Sequence, residues 1–590
     1  MKELAYLYKY FARYKWHLIG GILFVSLSNY FRILQPQMIR NAMNLVFKNL
    51  GQYKSMPDGA AKQALYNTLL HDLMYFGGVI LLCALLMGLF MYFMRQTIVV
   101  MSRLIEGDLR EEIFVQYENL SAAFYKKNST GDMMSRITED VSKVRMYLGP
   151  VILYGVNLIS LFALVIYAMF SVNKELAIYS LLPLPILVVS IYYVSDLINK
   201  RSGIIQQQLA KLNSIAQETY SGIRVVKSYG QVGAMTDAFA AESEIFKQKS
   251  LELARVDALF SPIMISMVGI TTIVTIYVGG IQVSKGLIDV GNIAEFVIYI
   301  SMLTWPVTSI GWIASLIQQA AASQKRINEF LKLVPDVQNV TQAKRTFDGE
   351  IEFCNVSFDY PDTGVKALQN VSFKLAAGQK MAIIGRIGSG KTTIADLIVR
   401  MYDTTKGQIL IDGKDIRTLD LANLRQRVGY VPQDIFLFSD TVAQNVAFGK
   451  SKATQSEIET YTKYASIHEE VLELADGYQT TVGERGVTLS GGQKQRLSIA
   501  RALIKKPDLI LLDDCLSAVD TNTEAQIVSY LSNELADKTA MIITHRIYGL
   551  LQFDQIIVLD EGRIVEAGTH KELMENGGYY AELFELQNQA

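Results

Sequence analysis

The most specific chemical signal in this sequence is a glycine-rich segment of eight residues. It follows the apolar run KMAIIG and reads Gly385-Arg386-Ile387-Gly388-Ser389-Gly390-Lys391-Thr392. Glycines let a loop curl so that its backbone N–H groups, and the N-terminus of the next helix, face a phosphate group. The lysine would neutralise the β- and γ-phosphates, and the hydroxyl of Thr392 would bind Mg²⁺. The segment, together with the adjacent Thr393, predicts a nucleoside triphosphate site.

A carboxylate that could complete the Mg²⁺ site lies far downstream. The apolar run Leu509–Leu512 ends at Asp513, and a carboxylate at the end of a buried strand can reach the coordination shell of the metal. Many apolar runs end in aspartate, so this signal is weak when taken alone. A third pattern stands between the other two, precedes the amphipathic segment KQRLSIARAL, and reads Leu489-Ser490-Gly491-Gly492-Gln493.

With the signature LSGGQ unaltered, the chain resembles the ATP-binding cassette (ABC) family, and further family motifs occur in order. Tyr360 in FDYP resembles the aromatic residue that stacks on adenine. Gln433 in VGYVPQD resembles the glutamine that senses Mg²⁺ and the γ-phosphate. Asp520 in LSAVD resembles the D-loop aspartate, and His545 in IITHR resembles the switch histidine that hydrogen-bonds the γ-phosphate. The segment 483–486, GERG, resembles a loop that marks exporters.

The resemblance implies ATP and Mg²⁺ as cofactors and a paired arrangement of subunits. In the family, each ATP lies between the phosphate loop of one cassette and the signature segment of a second cassette. One phosphate loop and one signature per chain therefore imply a second half-transporter as partner. The residues implied to bind the metal are Thr392, Gln433 and Asp513, and those implied to act in hydrolysis are Asp514, His545 and Gln433.

Position 514 departs from the family pattern. Family members usually place glutamate after the strand-end aspartate, where it orients and polarises the attacking water, whereas this chain has Asp513-Asp514. Aspartate is one methylene shorter, which withdraws the carboxylate by roughly 1.5 Å, and a misplacement of about 1 Å can cost about 100-fold in rate. Asp514 is either a tolerated change with slower hydrolysis or, as we favour, the mark of the weakly hydrolysing site of a heterodimer. The segment DDCLSAVD resembles that of weakly hydrolysing subunits of bacterial heterodimeric multidrug exporters, although the retained His545 leaves room for residual hydrolysis.

The first 320 residues contain the elements that would move a transported compound. A helix that crosses a bilayer needs about 20 mostly apolar residues. The predicted spans are about 18–39, 73–94, 148–172, 176–195, 258–284 and 296–319. The second and third contain no charged residue, which argues against helices of a water-soluble protein. Arg32, Pro262 and Pro306 lie in other spans, where a bundle interior accommodates them better than an isolated lipid-facing helix does.

These patterns predict a multidomain membrane protein. Residues 1–325 would form a six-helix, all-α transmembrane domain of exporter type, 326–347 a linker, and 348–590 an α/β phosphate-loop ATPase domain, because short β-type runs there alternate with helices. Apolar spacing of three and four residues in 95–147 and 196–257 predicts helices throughout, as extensions into water. ATP is cytosolic, so we expect these long segments and the ATPase domain in the cytosol, beneath the cytoplasmic membrane.

Composition agrees with this division. Of 590 residues, 50% are hydrophobic and 19% charged, which excludes an intrinsically disordered chain and argues against a purely soluble one. There are 29 Lys and Arg against 22 Asp and Glu up to residue 330, and 27 against 35 after it. A basic membrane half and an acidic soluble half suit anionic lipid headgroups and give no support to nucleic-acid binding.

The predicted function is ATP-driven export of hydrophobic or amphipathic compounds, as in multidrug transport. An adaptable apolar and aromatic cavity would suit such substrates, and the spans offer Tyr30, Phe31, Phe90, Tyr92, Phe93, Trp305 and Trp312. Each of these residues could equally face lipid or a neighbouring helix. Two alternatives stay open: a lipid or glycolipid translocase, and an ATP-gated regulator or channel subunit that does not pump.

Overall fold

A computed structural model describes residues 2–483, 486, 488–517, 519, 521–534, 537–545 and 553–589. Asp520, the predicted D-loop aspartate, and Glu484 and Arg485 of the GERG segment lie outside the described residues. The chain forms two compact units, which are Met1–Gln116 with Met133–Leu333, and Tyr117–Asp132 with Val334–Ala590. We call the first the helical unit and the second the α/β unit.

Among the described residues, six helices of the helical unit are long and apolar enough to cross a membrane. They are Lys15–Ser55, Ala60–Asn119, Thr130–Val172, Lys174–Ser221, Val232–Ser284 and Val290–Leu331. Long apolar runs form helices because a helix satisfies all its backbone N–H and C=O groups internally, which a bilayer core requires. Each predicted span lies within one of these helices, and every helix extends beyond the span.

A buried core of the helical unit is formed mainly by the third, fourth and sixth of these helices, and the first and fifth each add one residue. Leu161, Val165, Leu187, Phe296 and Tyr299 are buried there in one apolar cluster. Two shorter segments, Lys2–Leu7 and Tyr8–Arg13, precede the first long helix. The proline-containing helices remain continuous, since Pro36, Pro262 and Pro306 lie inside helical segments.

The prediction of helix throughout 95–147 and 196–257 was too simple, because each segment is interrupted. The helix that ends at Asn119 is followed by the short helix Ala122–Lys127, with Ser121 and Asn128 extended on either side. In the second segment, the short helix Ile223–Ser228 is followed by Gly230, whose φ of +67° is the left-handed conformation that favours glycine. Local turn residues therefore divide helices whose apolar spacing alone predicts continuity.

Among its described residues, the α/β unit contains ten strands in two sheets. The strands are β1 (Ile351–Asp359), β2 (Lys366–Leu375), β3 (Lys380–Gly385), β4 (Lys406–Ile411), β5 (Lys414–Asp415), β6 (Val428–Val431), β7 (Leu509–Asp513), β8 (Thr539–Ile543), β9 (Gln555–Asp560) and β10 (Arg563–Gly568). An antiparallel sheet has the order β2-β1-β4-β5, and the larger sheet has the order β10-β9-β3-β8-β7-β6. Strands β9, β3, β8, β7 and β6 run parallel, so their carboxyl ends meet at one edge, where α/β folds bind ligands.

Helices of the α/β unit surround this parallel sheet. They are Lys391–Ile398, Leu421–Arg427, Val442–Ala447, Gln455–Tyr464, His468–Leu472, Gly491–Leu503, Thr521–Glu534, His570–Asn576 and Tyr579–Gln589. The parallel strands are almost continuously apolar and buried, as in β7 and β8, because both faces are covered. One face packs against helices such as Gly491–Leu503, and the other packs against the helix Lys391–Ile398 and the antiparallel sheet.

The segment Tyr117–Asp132 belongs to the α/β unit although long helices of the helical unit flank it in the sequence. Ala122 and Ala123 on its short helix pack against an apolar cluster that includes Phe353 and Phe358 of β1. The chain thus passes from the helical unit into the α/β unit and back again before residue 334.

Candidate nucleotide site

The glycine-rich segment forms a loop between β3 and the helix Lys391–Ile398, at the carboxyl edge of the parallel sheet. Gly390 precedes the helix with a φ of +95°, and a Cβ there would clash with the carbonyl oxygen of Ala367. Nζ of Lys391 donates hydrogen bonds to the carbonyl oxygens of Gly385 (2.8 Å) and Arg386 (2.7 Å). Burial lowers the pKa of Lys391. The ammonium group of Lys391 is therefore held by the loop itself, where its charge would neutralise a bound phosphate.

Asp513 ends β7 with a buried carboxylate beside the loop. Burial raises the pKa of Asp513 to about 6, the hydrogen bond with Thr392 opposes that rise, and the carboxylates of Asp396 and Asp514 add to it. Within the described part of the chain, Oδ2 of Asp513 has no hydrogen-bond partner. A buried, unpartnered carboxylate oxygen next to a threonine hydroxyl is a hard-oxygen donor set of the kind Mg²⁺ prefers, so these residues fit the metal.

Asp514 adopts a left-handed backbone conformation directly after β7. Its φ is +46°, and its N–H donates to the carbonyl oxygen of Ile543 at 2.8 Å. Nδ1 of His545 lies 2.9 Å from Oδ1 of Asp514. The predicted catalytic carboxylate and the predicted switch histidine are therefore adjacent, and the ends of β7 and β8 hold them there.

Tyr360 follows β1 and stands in an aromatic cluster. Its hydroxyl hydrogen-bonds with Oγ1 of Thr393 at 3.0 Å, and its ring meets the rings of Phe358 and Tyr402 edge to face. Nζ of Lys126 lies 4.4 Å from the centroid of the Tyr360 ring and 5.3 Å from that of Tyr402, within range of cation–π attraction. Tyr360 is thus fixed both by the phosphate-loop helix and by the segment Tyr117–Asp132.

These groups line one cavity of about 540 Å³. The predicted residues that border it are Tyr360, Gly385, residues 387 to 393, Gln433, Asp513, Asp514 and His545. Arg386 is not among the bordering residues in the described part of the chain, and its guanidinium lies 5.5 Å from the ring centroid of Tyr579. A cavity that joins an aromatic ring, a loop of backbone donors and two carboxylates can bind a base, a polyphosphate and a metal.

The signature residues form the start of the helix Gly491–Leu503, away from the cavity. The side chain of Ser490 accepts a hydrogen bond from the N–H of Gln493, and the side chain of Gln493 accepts one from the N–H of Ser490, which is a complete capping box. Leu489, Gly491 and Gly492 complete the segment; among described residues, none of the five borders the cavity. One chain therefore presents its phosphate loop and its signature as separate surfaces.

Two residues that sequence reasoning missed hold the signature helix in place. Glu470 accepts hydrogen bonds from Nη2 of Arg496 (2.9 Å) and from Nε2 of Gln493 (3.0 Å). Arg496 is buried and also donates to the carbonyl oxygens of Ser466 and Gly492. The pattern IHEEV around Glu470 gave no signal of this role, because the contact joins two helices that are distant in the sequence. Lys126 was missed for the same reason.

Comparison with known proteins agrees with the fold and the cavity. Residues 18–307 match the family described as ABC transporter transmembrane region, and residues 368–517 match the family described as ABC transporter. The chain is 34% identical, over its whole length and 97% of the relative, to the probable multidrug resistance ABC transporter ATP-binding/permease protein YheI of Bacillus subtilis (strain 168). It is 36% identical to the multidrug resistance-like ATP-binding protein MdlA of Escherichia coli (strain K12), over 81% of this chain and 82% of that protein.

Two further similarities bear on function. The chain is 34% identical to the ATP-dependent lipid A-core flippase of Syntrophus aciditrophicus (strain SB), over 86% of this chain and 83% of the flippase. The solved structure of a bacterial Atm1-family ABC exporter with ATP bound matches with a TM-score of 0.77 at 26% identity, over 98% of this chain and 99% of that one.

The chain belongs to the ABC transporter family. It is a multi-pass membrane protein with the exporter fold, in which a six-helix transmembrane region precedes an α/β domain that binds and hydrolyses ATP. The predicted fold class and the resemblance to half-transporters of the exporter type are confirmed. Exporters of this fold generally act as dimers.

Proposed function

We propose that this chain is one half of an exporter that moves hydrophobic or amphipathic compounds out across the cytoplasmic membrane. One observation supports the proposal most strongly: a single chain combines three features. They are a cavity suited to ATP, a separate signature surface, and six helices that are long and apolar enough to cross a membrane. The names of the relatives YheI and MdlA, which refer to multidrug resistance, support the substrate class. Because ATP is cytosolic, the α/β unit faces the cytosol.

Aromatic side chains of the helical unit support a substrate site for apolar compounds. The rings of Phe31 and Phe90, from the first and second long helices, stack at 5.7 Å. Tyr154 meets Trp305 and Trp312 edge to face at 5.3 and 5.6 Å, which joins the third helix to the sixth. Tyr30 and Trp305 remain exposed in the single chain. Such rings offer large apolar contact areas without demanding one fixed polar geometry.

Transport in reconstituted vesicles tests the proposal. The assembled transporter, with the α/β unit outside, should concentrate a fluorescent amphipathic dye inside vesicles when ATP and Mg²⁺ are added. The variant K391A should abolish this uptake, since it removes the charge that would face the phosphates. Absence of ATP-dependent uptake of any amphipathic dye, in vesicles that retain ATPase activity, would contradict the proposal.

A lipid translocase is the second candidate, favoured by the 34% identity to a protein named as a lipid A-core flippase. The same vesicles distinguish it from the first candidate. ATP-dependent movement of a labelled lipid between leaflets without dye uptake would select the translocase. ATP-dependent conductance without concentrative transport would instead indicate the channel or regulator alternative.

We assign the parts of the cavity to ATP and Mg²⁺ as follows. Tyr360 would stack on the adenine, the phosphate loop from Gly385 to Thr393 would hold the phosphates, and Mg²⁺ would bind Thr392, Gln433 and Asp513. Asp514, His545 and Gln433 would act on the attacking water and the γ-phosphate. The signature 489–493 would complete the ATP site of a partner subunit, in which Asp520 would also take part as the D-loop aspartate.

We further infer that the partner is a different half-transporter and that this chain supplies the weakly hydrolysing site. The support is the side chain at position 514, where aspartate leaves the carboxylate roughly 1.5 Å short of the position a glutamate would reach. The signature Ser490–Gln493, by contrast, is unaltered and well anchored. In this arrangement the partner would carry the usual glutamate, and this chain would complete the partner's competent site.

A further inference from the structure

A single charged residue lies within the six predicted spans. Arg32 is the only Lys, Arg, Asp or Glu in the residues 18–39, 73–94, 148–172, 176–195, 258–284 and 296–319. A charge at this depth is costly in hydrocarbon, and such residues face the bundle interior or a water-filled cavity, where they bind ions or substrates. Arg32 therefore needs either a counter-charge or a functional reason.

Helix geometry places Arg32 on the inward face of its helix. The buried residues of Lys15–Ser55 are Gly21, Val25, Ser28, Asn29, Ile33 and Pro36. At 100° per residue, Arg32 lies about 20° around the helix from Val25 and about 40° from both Ser28 and Pro36, in the middle of that buried stripe. Val25 packs against Met94, Ile98 and Leu153, which lie on the second and third long helices. Arg32 thus points into the bundle rather than toward lipid.

The guanidinium of Arg32 has no partner among the described residues. It makes no hydrogen bond, ion pair or ring contact there, and the side chain keeps partial exposure although its neighbours on the stripe are buried. Glu295 on the sixth helix is already paired with Arg40 at 3.1 Å and accepts a hydrogen bond from Tyr299. Since the six spans contain no acidic residue, a second copy of this chain would bring no carboxylate to this depth either.

Escape of the charge to the membrane surface is also unfavourable. Side chains of a helix tilt toward its N-terminus, so Arg32 leans toward the N-terminal half of the span and away from its nearer end at residue 39. The start of the span at residue 18 is fourteen residues away, or about 21 Å at 1.5 Å per residue. An arginine side chain is too short to bridge that distance, so its charge remains at depth.

We propose that Arg32 binds the anionic headgroup of an amphipathic substrate inside the helical unit. The proposal rests on the exporter function proposed above and specifies its substrate class: a compound with an apolar body and a carboxylate, sulfate or phosphate group. A guanidinium presents several N–H donors in a plane that matches these anions. The neighbouring Phe31, stacked on Phe90, would contact the apolar body.

Three probes with the same twelve-carbon chain test the proposal: a carboxylate, a trimethylammonium and a maltoside. Each is titrated below its micellar concentration against the assembled transporter in nanodiscs, and stimulation of ATPase activity gives an apparent affinity. In R32Q, the apparent affinity for the carboxylate should fall by about ten- to 100-fold relative to that for the maltoside, because a charged hydrogen bond is lost. R32K, which keeps the charge, should retain most of the preference.

A matched control and a second readout separate binding from folding. K48Q removes one positive charge from an exposed position of the same helix, beyond the span, and should leave the carboxylate-to-maltoside ratio as in the unmodified protein. Quenching of Trp305 and Trp312 fluorescence by a brominated twelve-carbon carboxylate measures binding without ATP turnover. This quenching should require Arg32 and persist in K48Q.

Two lipid compositions identify the source of the anion. If phosphatidylglycerol in the nanodisc competes with the carboxylate in the unmodified protein and this competition disappears in R32Q, the site accepts a lipid headgroup. If phosphatidylglycerol has no effect while the R32Q loss persists, the site accepts a free amphiphile. Both results support anion binding by Arg32.

Other results overturn the proposal. An equal loss of affinity for all three probes in R32Q would assign Arg32 a structural role, and an unchanged carboxylate affinity would exclude headgroup binding. Loss of the partner subunit from purified R32Q, with unchanged probe ratios, would show that a partner carboxylate pairs with Arg32. Stimulation by the ammonium and the maltoside alone would reject the anion site and leave the exporter function standing. Absence of stimulation by any probe would contradict both.

Discussion

The α/β unit carries two surfaces to which we assign parts of ATP binding and hydrolysis, and they differ in how closely their residues match the family pattern. At the phosphate loop, Lys391 and Asp513 have the expected chemistry, but Asp514 stands where the family usually has glutamate. At the signature, the capping box of Ser490 and Gln493 is complete, and Glu470 holds it. The surface that would act on this chain's own ATP is altered, whereas the surface that would act on the partner's ATP is intact.

This difference suggests a division of roles between two sites of one transporter. Binding of ATP would use the loop, the lysine and the proposed metal-binding residues, all of which are present in this chain. Hydrolysis requires in addition that a carboxylate reach the attacking water, and only that group is shortened. Binding and turnover are therefore separable at this site, and substitutions on each surface should affect different steps.

The largest effect is expected from K391A. Loss of the ammonium removes charge-assisted hydrogen bonds to the phosphates, worth about 2 to 3 kcal/mol, so ATP affinity at this site should fall roughly 30- to 150-fold. Calorimetric titration of the assembled transporter with ATP would then lose one of its two binding sites. K452A, at an exposed lysine of the same unit, should keep both sites. Two intact sites in K391A would refute the assignment of the loop.

The next effect is expected from D514E. The longer side chain would bring the carboxylate back to the attacking water, so ATP hydrolysis at this chain's own site should rise on the order of tenfold. The rise is measured in an assembled transporter whose partner site has been inactivated by replacing its catalytic glutamate with glutamine. D514N serves as the control, because it keeps the short side chain and should give no rise. An unchanged rate in D514E would mean that geometry at position 514 does not limit hydrolysis.

A several-fold effect is expected from E470Q on the other surface. The substitution weakens the charge-assisted bonds to Arg496 and Gln493 that hold the signature helix, each worth about 1 kcal/mol or more. ATP turnover should fall about three- to fivefold while ATP affinity at the Lys391 site stays constant. The exposed neighbour Glu469 supplies the control variant E469Q. Equal losses in both variants would mean that Glu470 has no special role.

The smallest effect is expected from Y360F. It keeps the ring but removes the hydrogen bond to Thr393, so ATP affinity should fall only about two- to fivefold. Y360A, which also removes the ring, should lose considerably more affinity for ATP than Y360F does. Equal affinities in Y360A and in the unmodified protein would show that Tyr360 does not contact the adenine.

The sequence predicted best what depends on neighbouring residues. The phosphate loop, the end of β7 and the signature are short segments whose spacing encodes their backbone geometry, and the apolar runs fix the six long helices. Contacts between segments that are distant in the sequence could not be predicted. Lys126 contacts Tyr360, more than two hundred residues later in the chain, and Glu470 contacts Arg496 on another helix. Breaks at Ser121 and Gly230 were missed because apolar spacing reports which face is buried and not where a turn interrupts the helix.

The central claim, that this chain is the weakly hydrolysing half of a heterodimer, is tested most directly by its stoichiometry. The tagged chain would be purified in mild detergent from its native host, the intact complex weighed by native mass spectrometry, and ATP turnover measured on the same sample. The account predicts a one-to-one complex with a different half-transporter that has glutamate directly after its strand-end aspartate. A dimer of this chain alone with steady ATP turnover would contradict it, because Asp514 would then serve two equivalent catalytic sites.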